Sequence, residues 1–247
     1  MFRALANRKL SVYSSDGKKD PASYIAAGDW CTVIQKVQIG LSDFYEVQYP
    51  TSKGPKIRYL KTLSGFLVNQ NNYKSVKYPA PGYENATIAS GGCGVCSMVN
   101  ALGSLLGKNI TVPTMAQFAI SNGARVSGGT NMLTLCKAAS KKWGITYSTT
   151  NSGTALKNHL ANGGVAICNV AGNGIFSNTG HYIVCVGTIG NQLAFLDCGL
   201  YNGKYGFMYP RRKMAVKVSG DVIFSSYQTL NDDCYGRTPC YYLIGRV

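Results

Sequence analysis

Apolar residues recur at the spacing of an amphipathic helix between residues 93 and 106. They follow one another at intervals of three and four, and Gly107 closes the pattern, which predicts a buried helix over 93–106. Weaker patterns predict three more helices near 114–122, 130–143 and 153–162. The apolar positions of the first helix are Val95, Met98, Val99, Leu102, Leu105 and Leu106.

The regions on either side of these helices carry short apolar runs separated by turn residues, which is typical of β-strands. Residues 1–66 contain four such runs and predict a small all-β barrel. A polar segment with prolines, 69–82, suits a boundary between a domain 1–66 and a domain 67–247. Helices followed by strands in the second domain indicate an α+β fold. The predicted strands are 10–13, 30–34, 44–49, 57–60, 165–170, 181–188, 191–197, 213–218, 221–226 and 240–246.

Composition adds a strong positive charge to this picture. The chain has a formal net charge of +15 with only 14% charged residues, so an anionic partner is expected: nucleic acid, a membrane surface or a cell-wall polymer. The alternative is a solvated basic surface. No apolar run is long enough to span a bilayer, and no apolar segment follows the basic start. The expected place of synthesis is therefore a cytoplasm, where the nine cysteines would be mostly reduced.

The supply of acid–base residues is small. The chain has two histidines, and His181 opens an apolar strand. Asp197, the single carboxylate between residues 85 and 220, ends the next strand. Gly190 and Asn191 predict a hairpin turn that brings Asp197 beside His181. A carboxylate there would accept the ring N–H and leave the other nitrogen facing a nucleophile.

Cys93 is the candidate nucleophile. It stands in a glycine-rich turn, 91–94, where the predicted helix begins. The positive end of a helix dipole and a nearby imidazolium both lower the pKa of a thiol. The first N–H groups of the helix are also free to bind an oxyanion.

The segments 87–98 (TIASGGCGVCSM), 180–184 (GHYIV) and 196–197 (LD) together resemble the bacteriocin-processing type of papain-like cysteine peptidase. The resemblance covers roughly residues 70 to 200 and implies a papain-like fold with an acyl-enzyme mechanism. Cys93 would attack, His181 would relay the proton and Asp197 would hold the ring. The family places a Gln or Asn before the nucleophile as an oxyanion donor; Asn85 and the more distant Gln70 are the candidates here. No metal or other cofactor is expected.

The N-terminal pattern, especially 49–54 (YPTSKG) and 59–61 (YLK), resembles the bacterial SH3-like domains attached to cell-wall enzymes. The two resemblances together imply a phage-type endolysin. It would be made in the cytoplasm and would cleave peptide bonds of peptidoglycan at the cell wall after release. A peptide or peptidoglycan substrate and an anionic cell-wall polymer are the expected partners, and nucleic acid is not.

Three alternatives remain open. The first is a peptidase that processes proteins or leader peptides, and the second is a non-catalytic module that binds cell wall or nucleic acid. The third is a zinc or redox site built on Cys93 and Cys96. Only Cys234 and Cys240, which flank a polar loop and are a candidate disulfide pair, are loosely available as further ligands.

Overall fold

A 13-stranded antiparallel sheet dominates the mixed α/β fold of the computed structural model, which describes residues 1–247. The first six strands lie side by side in the order β1-β4-β5-β6-β2-β3, in which only β4, β5 and β6 form a meander. The two end strands, β1 and β3, do not pair with each other. Strand β1 pairs with β4 and with a C-terminal strand, whereas β3 pairs with β2 alone. The SH3-like barrel therefore stays a prediction. These strands are β1 (Phe2–Leu5), β2 (Leu10–Tyr13), β3 (Lys19–Ile25), β4 (Trp30–Ile39), β5 (Ser42–Tyr49) and β6 (Lys56–Leu60).

The middle of the chain is mostly helical, and the predicted helices lie close to their expected positions. The helix predicted over 93–106 is found there, with Gly107 in the left-handed conformation as its C-cap. A 3₁₀ turn, Gln70–Asn72, precedes the helices. The helical region consists of α1 (Ile88–Gly91), α2 (Cys93–Leu106), α3 (Val112–Ser121), a short hairpin of β7 (Arg125–Val126) and β8 (Gly129–Thr130), α4 (Met132–Trp143), β9 (Ile145–Thr150) and α5 (Gly153–Ala161).

The last third of the chain supplies the strands around which the helices pack. The strand predicted over 213–218 is wrong in its first half, because Pro210 starts a short helix that continues to Ala215. These elements are β10 (Val165–Val170), β11 (His181–Ile189), β12 (Gln192–Leu196), α6 (Pro210–Ala215), β13 (Val216–Ser219), β14 (Val222–Ser225), α7 (Tyr227–Cys234) and β15 (Tyr241–Arg246).

Helices cover both faces of the C-terminal strands. Alternate residues of β11 point to opposite faces, so that Val184 packs with α2, α3 and α4 while Ile183 packs with α5 and α7. The first of these two cores also contains Phe2, Val33 and Leu60 from the N-terminal strands. The boundary between 1–66 and 67–247 stays a prediction, but apolar packing and strand pairing cross it. None of the helices is long and apolar enough to cross a membrane.

Candidate active site

Cys93 is the first residue of α2, and the two glycines beside it make this start possible. A Cβ atom at Gly92 would lie 2.7 Å from the carbonyl oxygen of Ile88, and one at Gly94 would lie 2.6 Å from Cβ of Thr130. Both positions therefore exclude a side chain. Cys93 as a residue is partly exposed, whereas the rest of the first turn of α2 is buried. The N–H groups of this first turn have no acceptor within the helix.

His181 and Asp197 meet as the hairpin predicts, through a hydrogen bond of 2.9 Å between His181 Nε2 and Asp197 Oδ1. Their common face depends on a β-bulge at Val186. Strand β11 pairs Gly187 with Ala194 but Cys185 with Phe195, so one residue of β11 is left over. Without that extra residue the register would place the two side chains on opposite faces, because a slip of one position reverses every side chain.

Gly187 permits the bulge. Its φ of 145° is a conformation that residues with a side chain rarely adopt. A Cβ atom there would also lie 2.7 Å from the carbonyl oxygen of Met1, which belongs to the neighbouring N-terminal segment. The N-terminal strand β1 and the strand β11, which begins with His181, therefore approach each other at the point where β11 changes register.

Asp197 is completely buried and accepts four hydrogen bonds. Besides His181, its donors are Lys204 Nζ at 2.6 Å, the Tyr205 hydroxyl at 2.7 Å and the Gly199 N–H at 2.9 Å. The sequence argument that a buried carboxylate needs a partner is satisfied, but Lys204 and Tyr205 were not anticipated. The only signal for them is that Lys204 is the first cation after Asp197.

These contacts shift the pKa values of the three groups. Burial raises the pKa of Asp197, but the hydrogen bond from His181 and the charge of Lys204 outweigh it and hold that pKa well below its usual range. Burial lowers the pKa of His181, but Cys198, Asp197 and Cys93 together raise it well above its usual value. Burial also raises the pKa of Cys93, and the hydrogen bond and charge of His181 more than reverse that effect. The arrangement favours a thiolate–imidazolium pair.

A second thiol, that of Cys198, lies next to the backbone of Cys93. It is buried, and its Sγ lies 3.4 Å from the carbonyl oxygen of Cys93 and 3.5 Å from Gln70 Oε1. Burial raises the pKa of Cys198, although the charge and hydrogen bond of His181 oppose this, and the Sγ atom contacts both oxygens. Cys198 thereby joins the start of α2 to the 3₁₀ turn, a contact that sequence reasoning missed because Cys198 resembles the other buried cysteines.

The structure distinguishes the two candidates for the second oxyanion donor, Gln70 and Asn85. Gln70 lies at the site, with its backbone N–H bonded to the Cys198 carbonyl at 2.8 Å and its Nε2 donating to the Ala89 carbonyl at 3.0 Å. Asn85 is exposed in the loop before α1 and makes no side-chain hydrogen bond to the residues of the site. Gln70, though more distant in sequence, is the candidate that contacts residues next to Cys93, namely Cys198 and Ala89.

The remaining candidates have structural positions. Cys96 is fully buried in the core, and Cys234 and Cys240 are both free thiols. His159, the other histidine, is half-buried, and its Nε2 lies 2.9 Å from the carbonyl oxygen of Ile244, so its ring contacts the backbone. No group of three or more histidine, cysteine and acidic side chains is arranged to hold a metal ion.

Comparisons with known proteins add little to this description. No known protein-family profile matches the chain, and no curated protein matches it. A similar solved structure is the peptidase domain of Streptococcus ComA, a bifunctional ABC transporter involved in a quorum-sensing pathway. The similarity covers 63% of this chain and 91% of that domain, with 17% identity and a TM-score of 0.41. A likeness of this size does not identify a family.

Proposed function

We propose that the protein is a cysteine peptidase in which Cys93 is the nucleophile. The observation that carries the proposal is the buried His181–Asp197 pair, aligned at 2.9 Å beside a thiol at the start of a helix. Asp197 accepts the N–H of His181 Nε2, which leaves Nδ1 for the thiol of Cys93.

In the proposed reaction the Cys93 thiolate attacks the carbonyl carbon of a peptide bond. The negative oxygen that forms is bound by the Cys93 N–H, with the second N–H of Gln70 Nε2 as the other donor. The His181 imidazolium gives its proton to the leaving amine, and the C–N bond breaks to leave a thioester. Neutral His181 then takes a proton from water, and the resulting hydroxide attacks the thioester to release the acid and restore the thiolate.

The first test is the rate at which iodoacetamide alkylates Cys93 as a function of pH, in the wild type and in His181→Ala. An ordinary thiol titrates at about pH 8.5, so an activated thiolate reacts at distinctly lower pH. We expect selective labelling of Cys93 well below pH 8, and a large loss of that low-pH labelling in His181→Ala. The buried thiol of Cys136, mapped in the same digests, is the internal control.

Labelling of Cys93 no faster than an unactivated thiol would contradict the proposed nucleophile. In that case a non-catalytic binding module would be the better hypothesis.

For the substrate we propose the peptide portion of bacterial peptidoglycan, reached at the cell wall after release from the cytoplasm. The support is the net charge of +15, which attracts an anionic wall polymer through long-range forces that weaken with salt. The N-terminal strands, which resemble SH3-like domains, are the proposed wall-binding part. A leader peptide or another unfolded protein segment is the competing substrate, since the same thiolate chemistry serves any accessible peptide bond.

Purified cell walls and an unfolded protein separate these substrates. Release of new amino groups from walls by the wild type, with Cys93→Ala still binding walls without cleaving them, would support the wall substrate. Cleavage confined to the unfolded protein would replace the wall substrate and keep the peptidase. Equal release by Cys93→Ala would remove the peptidase proposal itself.

A further inference from the structure

A cavity of about 320 Å³ lies between the loop that precedes His181 and the segment around α6. Its walls carry three kinds of chemical group. Asn173 and Asn178 supply amide groups, Met208 and Tyr209 supply apolar and aromatic surface, and Arg211 and Arg212 supply positive charge. This cavity is separate from the hydrogen bonds that join His181, Asp197 and Lys204.

Arg212 is the unusual member of this cavity, because it is a buried cation with no anionic partner. It is only 5% exposed. Its Nη2 donates to Asn178 Oδ1 at 2.5 Å and lies 3.5 Å from the Gly174 carbonyl oxygen, so its protein acceptors there are uncharged. None of the ion pairs of the protein involves Arg212.

The carboxylate of Asp233 binds backbone groups and forms no ion pair with Arg212. Its two oxygens accept the backbone N–H groups of Ile175 and Phe176 at 2.9 Å and 2.8 Å. A buried cation without an ion-paired carboxylate is costly, and two neutral acceptors together with the Tyr209 ring, whose centroid lies 5.0 Å from the guanidinium carbon, offset only part of that cost. An anion bound in the cavity next to Arg212 would remove this cost.

The cavity is connected to the catalytic residues through two short paths. Asn178, which holds Arg212, is three residues before His181 in the chain. On the other side, Tyr205 bonds to Asp197, and the positive charge of Arg212 acts on Tyr205, opposing the burial that raises the pKa of this tyrosine. The cavity is thus linked by the chain and by one hydrogen bond to the residues that hold His181.

We propose that the cavity is a substrate subsite in which Arg212 binds a carboxylate of the peptide, from an acidic side chain or a free C-terminus. A planar guanidinium pairs with a carboxylate through two parallel hydrogen bonds, which suits this partner better than a spherical anion. Met208 and Tyr209 provide the apolar contact that the methylene groups of a glutamate-like side chain need. This inference rests on the proposed peptidase function.

The main experiment profiles cleavage of a peptide library by the wild type, by Arg212→Lys and by Arg212→Gln. We expect enrichment of Asp, Glu or a terminal carboxylate at one fixed distance from the cleaved bond. In matched peptides, replacing that Glu by Gln should lower kcat/KM about tenfold in the wild type, as expected for one charge-assisted pair. The ratio of kcat/KM for the Glu peptide to kcat/KM for the Gln peptide should fall towards one in Arg212→Gln. In Arg212→Lys the ratio should lie between one and the wild-type value.

Lys213→Gln is the matched control, since Lys213 is an exposed cation on the same helix that does not line the cavity. It should keep the selectivity of the wild type. Peptides that differ in a side-chain carboxylate or in an amidated C-terminus distinguish the two sources of the anion. Cleavage by the wild type without any preference for a carboxylate overturns the subsite and leaves the peptidase proposal intact.

A binding measurement decides the subsite even if no peptide is cleaved. The guanidinium Nε–H resonance of Arg212 in Cys93→Ala is followed by NMR during titration with N-acetylglutamate amide, N-acetylglutamine amide or inorganic phosphate. A saturable shift with the glutamate probe and none with the glutamine probe supports the carboxylate site, and loss of the resonance in Arg212→Gln assigns it. No shift, an equal shift with both amides, or a shift with phosphate alone overturns it.

Discussion

At the residue scale, the site is organised around one buried carboxylate. The scarcity of acids in the sequence singles out Asp197, and the cost of burying it predicts a partner. His181 is the partner that the hairpin turn at Gly190 makes predictable. Lys204 and Tyr205 are not predictable, because a loop without periodicity returns them to the carboxylate and no local pattern specifies how it does so.

The contribution of Lys204 is testable, since its Nζ lies 2.6 Å from Asp197 Oδ2 and both side chains are buried. We expect Lys204→Met to lower the free energy of unfolding by about 3 kcal/mol, because removing one partner of a buried ion pair leaves the other uncompensated. Urea unfolding at neutral pH measures this loss. Lys141→Met, an exposed lysine without an ion pair, should change it by less than about 0.5 kcal/mol.

The pH dependence of this loss follows from the direction of the Asp197 shift. The folded state lowers the pKa of Asp197, so this carboxylate contributes stability above its ordinary pKa and loses it as the pH falls through the lowered one. The difference between Lys204→Met and the wild type should therefore be largest near neutral pH and narrow in acid. A difference that grows as the pH falls would contradict an ion pair with Asp197.

At the scale of the elements, the bulge in β11 is the feature that sets the site. Gly187→Ala adds a Cβ atom 2.7 Å from a backbone oxygen at a φ of 145°, so it combines steric overlap with backbone strain. We expect a loss of stability of roughly 2 kcal/mol or more, together with slower low-pH labelling of Cys93 as His181 shifts. Thermal unfolding and the alkylation assay measure the two effects.

Gly190→Ala is the control for this change. Gly190 also has a positive φ, 55°, but a Cβ atom there meets nothing within 4 Å. It should cost about 1 kcal/mol from backbone strain alone and leave the labelling of Cys93 unchanged. If both alanine variants behaved alike, the close approach of the N-terminal segment to Gly187 would have no energetic importance.

Elements with strong periodicity are predictable from this sequence, and elements made by tertiary contacts are not. Helix α2 begins and ends where its apolar pattern and Gly107 indicate. The strand β3 was missed because it is largely polar and contains Pro21, which an edge position tolerates. The helix α7 was missed because its eight residues carry little apolar pattern, and a side-chain cap from Ser226 starts it.

At the scale of the whole molecule, residues 1–66 are joined to the rest by more than a linker. Leu5 on β1 packs near Gly103 of α2, and the Trp30 ring N–H donates to the Ser104 carbonyl at 2.9 Å. The rings of Tyr45 and Phe224 stack at 6.1 Å between centroids. Asp221 accepts backbone N–H groups from Phe66 and its neighbours. A wall-binding role for residues 1–66 would thus be combined with a structural one.

A fragment of residues 67–247 should consequently fail to form the native site. Removing residues 1–66 uncovers one side of the shared core, to which Phe2, Val33 and Leu60 belong. The removal also takes away β1, with which β11 pairs at the bulge. We expect the fragment to lose the cooperative unfolding transition and the fast labelling of Cys93, because a domain that lacks part of the larger of its two cores cannot offset its conformational entropy. Circular dichroism and the alkylation assay measure both.

The control keeps every residue and breaks only the chain. A protease site inserted in the exposed loop around Gly82 allows the intact protein to be cut after folding, and the two pieces should remain associated and keep Cys93 reactive. If the 67–247 fragment instead unfolded cooperatively and labelled at the wild-type rate, residues 1–66 would be an independent attachment. The sheet pairing between β1 and β11 would then have no role in positioning His181.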